Sequence, residues 1–282
     1  MMKLGVFITM SEHEHAGKLE PLSEIGTEFK KLKDNGFQTC QLNCWNREIM
    51  NDEWAGKVNA ASKEYDIEIT SFWCGWEGPQ VWDFYEGPAS LGLLPQAYRF
   101  DRLKMLKMGS DFAKKINVKK LITHVGFVPE NPSDPEYNGL VVVLKDLATY
   151  CKNNGQDFLF ETGQETPVAL LRIIEDIGLD NLGINLDPAN LILYGKANPV
   201  DALDVIGKYV KGVHAKDGMY PTTGKFIGHE VPLGEGKVNF PKLIKRLKEV
   251  GYDGPLTIER EISGADQLKD ILKAKELLEK LI

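Results

Sequence analysis

The chain has 282 residues, 43% of them hydrophobic and 27% charged, a globular composition with length for one large domain or two small ones. Its 41 acidic residues exceed its 34 basic ones, for a formal charge of −7, which opposes binding to a nucleic-acid backbone, where Lys and Arg supply much of the affinity. The longest apolar runs, such as 139–144, fall far short of the ~20 residues that cross a bilayer, so no membrane partner is expected.

A short apolar stretch at the N-terminus is followed by Glu12 and Glu14 before any small-residue cleavage site. No secretory leader is expected, and a cytoplasmic location is. Cys40, Cys44, Cys74 and Cys151 form no C-x-x-C pair and are expected to be buried, reduced thiols.

In chain order, periodicity predicts strands over 3–9, 37–43, 67–74, 119–124, 157–161, 182–187, 210–215 and 256–259. Each is short and reads as apolar on both faces, in the manner of buried parallel strands. Helices are predicted over 21–35, 52–65, 96–116, 137–154, 167–177, 199–208, 239–250 and 266–281. Thr166 before Pro167, Asn198 before Pro199 and Asn239 before Phe240-Pro241 are cap residues with proline in the first turn. Gly36, Gly155, Gly178 and Gly251 stand where helices should stop. In the last helix Leu268, Ile271, Leu272, Lys275, Leu278 and Leu281 share one face, which predicts packing of that helix on the first.

Eight strand–helix alternations match a closed (β/α)8 TIM barrel, a fold of ~250 residues, and a single domain over 1–282. An open doubly wound sheet is the alternative, but the first strand leads into Met10-Ser11-Glu12-His13-Glu14-His15 and not into a glycine-rich turn. The irregular segments 75–95, 126–136 and 218–238 follow strands and therefore belong at the C-terminal face, where barrels carry their active sites. Trp73, Trp76, Trp82, Phe84 and Tyr85 fall together there and suit either a substrate wall or packing at the barrel top.

The informative pattern is at the ends of strands five to eight, which close on Glu161, Asp187, His214 and Glu259. Singly, each has an ordinary reading. Asp187 before Pro188 and Glu161 before Thr162 could be helix caps, and His214 could be a core histidine. Jointly, three carboxylates and an imidazole at one barrel rim suit a divalent ion such as Mn²⁺, Mg²⁺ or Co²⁺, with Zn²⁺ open.

These residues stand in motifs: Phe160-Glu161-Thr162, Asn185-Leu186-Asp187-Pro188-Ala189-Asn190-Leu191 and Val213-His214-Ala215-Lys216-Asp217. Closing runs follow from Val231-Pro232-Leu233-Gly234-Glu235-Gly236-Lys237-Val238 to Gly251-Tyr252-Asp253-Gly254-Pro255-Leu256-Thr257-Ile258-Glu259. Together, over essentially the whole chain, they resemble the xylose isomerase-like TIM barrels, specifically the sugar phosphate isomerase/epimerase family with its ketose 3-epimerases and inosose dehydratases.

The resemblance implies that Glu161, Asp187, His214 and Glu259 bind the metal and that Glu161 and Glu259 double as the acid/base pair. It implies a sugar or keto-sugar isomerase/epimerase working through a metal-stabilised enediolate, with a small-molecule carbohydrate substrate and a homo-oligomeric assembly. Two glutamates facing opposite sides of the substrate suit epimerisation; one competent base would give same-face isomerisation or loss of water. The ketose 3-epimerases carry a histidine where this chain has Asn190 and an arginine where it has Tyr220. These departures point away from an unmodified ketohexose and toward a modified or keto-type carbohydrate.

Position nominates further substrate-binding residues. His124 ends the fourth strand, Lys216 stands two residues past His214 and could meet an enolate or pair with Asp217, and Trp45 and Trp73 could stack on a sugar ring. His229 and the Gly234-Glu235-Gly236 turn occupy a region that often takes phosphate in barrels, although Glu235 opposes an anion there. His13 and His15 read as loop residues near the mouth. Two other readings stay open: a lyase acting on a keto-polyol or an oxidised glycoside, and a non-catalytic sugar-binding barrel, against which the four intact ligand positions speak. An apurinic endonuclease is opposed by the charge of −7 and by only 5 histidines.

Overall fold

The computed structural model describes residues 2–10 and 24–282, with the backbone of Glu14–His15 and Lys18–Leu19; His13 lies outside the described residues. Eight parallel strands run as β1 (Leu4–Thr9), β2 (Thr39–Cys44), β3 (Glu68–Cys74), β4 (Lys120–Thr123), β5 (Asp157–Glu161), β6 (Leu182–Leu186), β7 (Val210–Ala215) and β8 (Leu256–Ile258). They close in the order β1-β8-β7-β6-β5-β4-β3-β2. The ring shuts at Gly5, which pairs with Thr39 of β2 on one side and Thr257 of β8 on the other.

Helices α1 (Ile25–Asp34), α2 (Asp52–Tyr65), α3 (Gln96–Lys115), α4 (Pro135–Asn153), α5 (Pro167–Ile177), α6 (Pro199–Ile206), α7 (Phe240–Glu249) and α8 (Ala265–Glu279) lie in the connections. The predicted caps form: Thr166, Asn198 and Asn239 accept from the amides of Ala169, Val200 and Lys242. The last helix meets the end of the first through Lys275, whose Nζ donates to Asn35 O at 2.9 Å. All four cysteines are buried and none is in a disulfide. No helix among the described residues is long and apolar enough to cross a membrane.

One expectation is corrected. The strands are not apolar on both faces: in β2, Cys40, Leu42 and Cys44 join the main hydrophobic core, whereas the alternate residues Thr39, Gln41 and Asn43 are buried polar groups. Only the outward face must match the apolar stripes of the helices. The interior is divided, with Trp73, Trp76, Ile122 and Leu159 forming an apolar cluster flanked by Phe7, and polar side chains of β2, β6 and β7 facing each other beside it. That polar half needs Gly212, because a Cβ there would lie 2.3 Å from Asn185 Oδ1.

Segments read as irregular hold some order. Asp217–Met219 pairs antiparallel with His229–Val231; outside those segments, a short helix that periodicity does not predict, Pro188–Leu193, follows β6 directly. The loop after β3 reaches the loop after β7, where Asp83 pairs with Phe226 and the amide of Phe84 donates to Lys225 O at 3.0 Å. Arg102 of α3, 1% exposed, secures the first loop by donating to the carbonyls of Glu77, Pro79 and Gly92.

Candidate metal centre and active site

Glu161 ends β5, Asp187 follows β6, His214 lies near the end of β7 and Glu259 follows β8, still tied to the barrel by its amide on Ala215 O at 3.3 Å. Strand register sets Glu161 opposite Asn185, two residues before Asp187, and His214 opposite Thr257, two residues before Glu259, so the period-two alternation of the strands turns all four side chains to the same side. One ligand atom from each lies within 4.8 Å of the others. His214 Nδ1 is 2.9 Å from Glu161 Oε1, 3.0 Å from Glu259 Oε2 and 3.6 Å from Asp187 Oδ2.

Neighbours orient each ligand. Asn185 Nδ2 donates to Glu161 Oε2. The amide of Asn190 donates to Asp187 Oδ1 at 2.9 Å, so Asp187 caps the short helix with one oxygen and turns the other, Oδ2, into the cluster. The cap and the ligand readings of this aspartate therefore coexist on different atoms. Thr162 Oγ1 donates to Asp187 O and accepts from its amide, at 2.9 and 2.8 Å. His214 Nε2 lies 2.7 Å from Gln41 Oε1.

Asp187 Oδ2, His214 Nδ1 and Glu259 Oε2 are buried and make no hydrogen bond among the described residues. A set of carboxylate oxygens and one imidazole nitrogen, closed in from solvent and converging without hydrogen bonds of their own, fits a divalent cation.

Lys216 is buried in the same cluster, its Nζ 3.4 Å from Glu259 Oε2, 3.6 Å from Asp187 Oδ2 and 2.8 Å from Glu261 Oε1. It also lies 3.5 Å from Asn190 Oδ1. It does not depend on Asp217, whose carboxylate instead accepts from the amides of Gly218, Gly234, Gly236 and Val238. Burial and this ring of charges separate the two glutamates. Burial pushes Glu161 up to about 7. Burial also acts to raise Glu259, but Lys216 and then His214 outweigh it and hold that carboxyl well below the usual range.

His124 is 7% exposed with Nδ1 unpartnered. It is flanked edge-on by Trp73 and Trp82, with ring centres 5.8 and 5.4 Å away. Burial, then the Lys216 charge, push it down to about 3, so its imidazole is neutral. Trp45 and Trp73 lie 4.9 Å apart, within the tryptophan group that includes Trp76 and Trp82. Gly75 sits tight against Trp45, where a Cβ would lie 2.2 Å from the ring. His229 stands exposed on its short strand. Its neighbour Glu230 faces Arg260, at 3.2 Å.

Three residues of this neighbourhood escape a motif reading: Gln41, Asn185 as the partner of Glu161, and Glu165. Glu165 is 1% exposed, and neither carboxyl oxygen makes a hydrogen bond of ordinary geometry. Burial pushes it up to about 8. For Gln41 a signal existed, the strict alternation of polar and apolar residues in Thr39-Cys40-Gln41-Leu42-Asn43-Cys44.

Comparison with known proteins agrees with this architecture. The crystal structure of a xylose isomerase domain protein from Planctomyces limnophilus superposes with a TM-score of 0.90 at 37% identity, covering 99% of this chain and 97% of that one. An uncharacterized protein of Methanocaldococcus jannaschii is 35% identical over 181 residues, 60% of this chain and 58% of its own length. A fructoselysine 3-epimerase of Escherichia coli O157:H7 is 25% identical over 182 residues, 61% of this chain and 63% of its own length. The match thus spans about three fifths of these two relatives. The sequence model of the xylose isomerase-like TIM barrels matches residues 29–281, and the chain belongs to that family.

Proposed function

We propose that the chain is a divalent-metal-dependent epimerase or isomerase of a keto-sugar, moving a proton at the carbon beside the carbonyl. The observation that carries this reading is the convergence of Glu161, Asp187, His214 and Glu259 within 4.8 Å. The similarity to a fructoselysine 3-epimerase supports the reaction class. A divalent ion held by these four residues supplies positive charge opposite the negative charge that develops on substrate oxygens as the neighbouring carbon loses its proton. With the Lys216 ammonium it also balances the three carboxylates. The oxygen-rich set favours Mn²⁺, Mg²⁺ or Co²⁺ over Zn²⁺.

Glu259, held ionised by Lys216, is the proton acceptor. Glu161, on the other side of the cluster, is the group that returns a proton. Neutral His124 and the side chains of Asn190 and Lys216 serve the substrate oxygens, and Trp45 and Trp73 the apolar edge of the sugar. The buried position of the cluster keeps bulk water from competing for the proton.

The test incubates metal-loaded protein with D-fructose, D-tagatose and fructoselysine in D₂O and follows loss of the carbon-bound proton by NMR. Exchange beside the carbonyl, with or without a new epimer, is the expected result. No exchange on any of these ketoses, in protein shown to carry the metal, overturns the assignment, and a product lighter by one water assigns a lyase.

A further inference from the structure

The buried amide of Gln41 has no place in the proton-transfer scheme, yet it touches the one nitrogen ligand of the cluster from across the barrel. Gln41 is 1% exposed on β2, and its Oε1 lies 2.7 Å from Nε2 of His214, which is 0% exposed on β7. The far end of the amide is fixed as well, because Gln41 Nε2 donates to Ser71 Oγ at 2.7 Å. With its Nε2 end engaged by Ser71, the amide presents its oxygen, an acceptor only, to the imidazole. In this arrangement His214 Nε2 carries the proton. In a neutral imidazole one nitrogen donates and the other offers a lone pair, and the lone pair is left on Nδ1, the atom that faces Glu161, Asp187 and Glu259.

We infer that Gln41, oriented by Ser71, is a positioning residue that fixes the tautomer and rotation of His214 so that Nδ1 is presented to the metal. The inference rests on the metal-site reading above. Its chemical logic is that of a hydrogen-bond acceptor behind a metal-ligating histidine, a role commonly filled by a carboxylate or a backbone carbonyl. Here the acceptor is neutral. The three carboxylates of the cluster are already balanced by a divalent ion and Lys216, so a fourth carboxylate behind the ring would leave a buried negative charge. A neutral amide supplies the directionality without that charge. Phe7 packs edge-on against the imidazole with ring centres 5.5 Å apart; it restrains the ring plane but offers no polar atom, so with Nδ1 given to the metal among the carboxylates, Gln41 is the acceptor for the proton on Nε2.

Gln41→Met keeps the length of the side chain and removes the acceptor, and Gln41→Glu keeps the acceptor. Metal dissociation constants are measured by competition with a chromophoric chelator. The His214 ring is read by ¹⁵N–¹H NMR in the diamagnetic Zn²⁺-loaded protein. The wild-type ring is expected to show metal at Nδ1 and a proton on Nε2. Gln41→Met is expected to weaken metal binding by roughly 10–100-fold and to lose the protected Nε2–H signal, while Gln41→Glu retains that signal and recovers most of the affinity.

Wild-type affinity in Gln41→Met, with the Nε2–H signal unchanged, overturns the role of Gln41 and leaves the metal site standing. A wild-type protein that binds none of Mn²⁺, Mg²⁺, Co²⁺ and Zn²⁺ overturns the metal site and this inference together. If Gln41→Met does not fold, the wild-type spectrum still decides, because a ring with its proton on Nδ1 and metal at Nε2 contradicts the assignment outright.

Discussion

The ammonium of Lys216 lies 3.4 Å from the carboxylate of Glu259, with both side chains more than nine-tenths buried. Burial alone would push this carboxyl up, and Lys216 is the first of the charges that reverse it. Lys216→Met should therefore raise the Glu259 pKa and leave a larger share of it protonated near neutrality. A base acts only when ionised, so the acid limb of the kcat/KM profile should move to higher pH. Turnover at pH 7 should fall by about 10²-fold or more. An unshifted acid limb in the variant would show that Glu259 is not the base.

Glu259 and His214 should fail in different ways. Glu259→Gln keeps a ligating oxygen but cannot carry the proton, so turnover should drop by about 10²–10⁴-fold while metal content, read by elemental analysis, is largely retained. His214→Ala removes the nitrogen ligand, and the variant should lose metal on dialysis. It should also lose the rise in Tm that added metal gives the wild type, about 2.7 kcal/mol of stabilisation at a metal concentration 100 times Kd. His214→Ala with wild-type metal content would count against the whole constellation.

The contrast between these residues and Gln41 marks what could be read from the chain. Glu161, Asp187, His214 and Glu259 are legible because barrel topology brings the ends of consecutive strands to one rim, whatever their separation in sequence. The bounds of β5 and β7 fall as periodicity places them. Gln41 is different: its role depends on a partner 173 residues away, across the barrel and on no shared motif. Arg102 reads as one more cation on a helix, and only the tertiary path of the loop after β3 shows that its guanidinium binds three carbonyls. For Lys216 and Asp217 the sequence allowed a pair between neighbours. Lys216 stands between β7 and the short strand that Asp217 begins, and the two side chains find separate partners.

Glu165 makes stability depend on pH. Burial pushes its carboxyl up to about 8 in the folded chain, against ~4.3 in an unfolded one. Between those values the folded state holds a proton that the unfolded state has lost, so stability falls as pH rises through the window and levels off above it. Glu165→Gln carries no such proton. Its Tm should decline less than that of the wild type between pH 5 and pH 8, and parallel declines in the two proteins would refute the assignment. Glu230, raised by burial to about 7, contributes equally to both and cancels in the comparison.

Asp217 is 1% exposed, and its two oxygens receive the amides of Gly218 and Val238 at 2.8 and 2.9 Å and those of Gly234 and Gly236 at 3.0 Å each. A ring of backbone N–H groups in the loop after β7 is the kind of concavity that binds an anion, and here the chain fills it with its own carboxylate. Asp217→Ala would leave those donors without an acceptor, at a cost of about 3 kcal/mol, enough to lower Tm by roughly 5 °C. The same change opens the ring to an external anion. Inorganic phosphate should therefore restore part of the lost Tm in Asp217→Ala and leave the wild type unmoved, because binding stabilises only a state that offers a vacant site. A wild type stabilised by phosphate to the same extent would mean that an anion binds elsewhere, and that the ring held by Asp217 is not the limiting site.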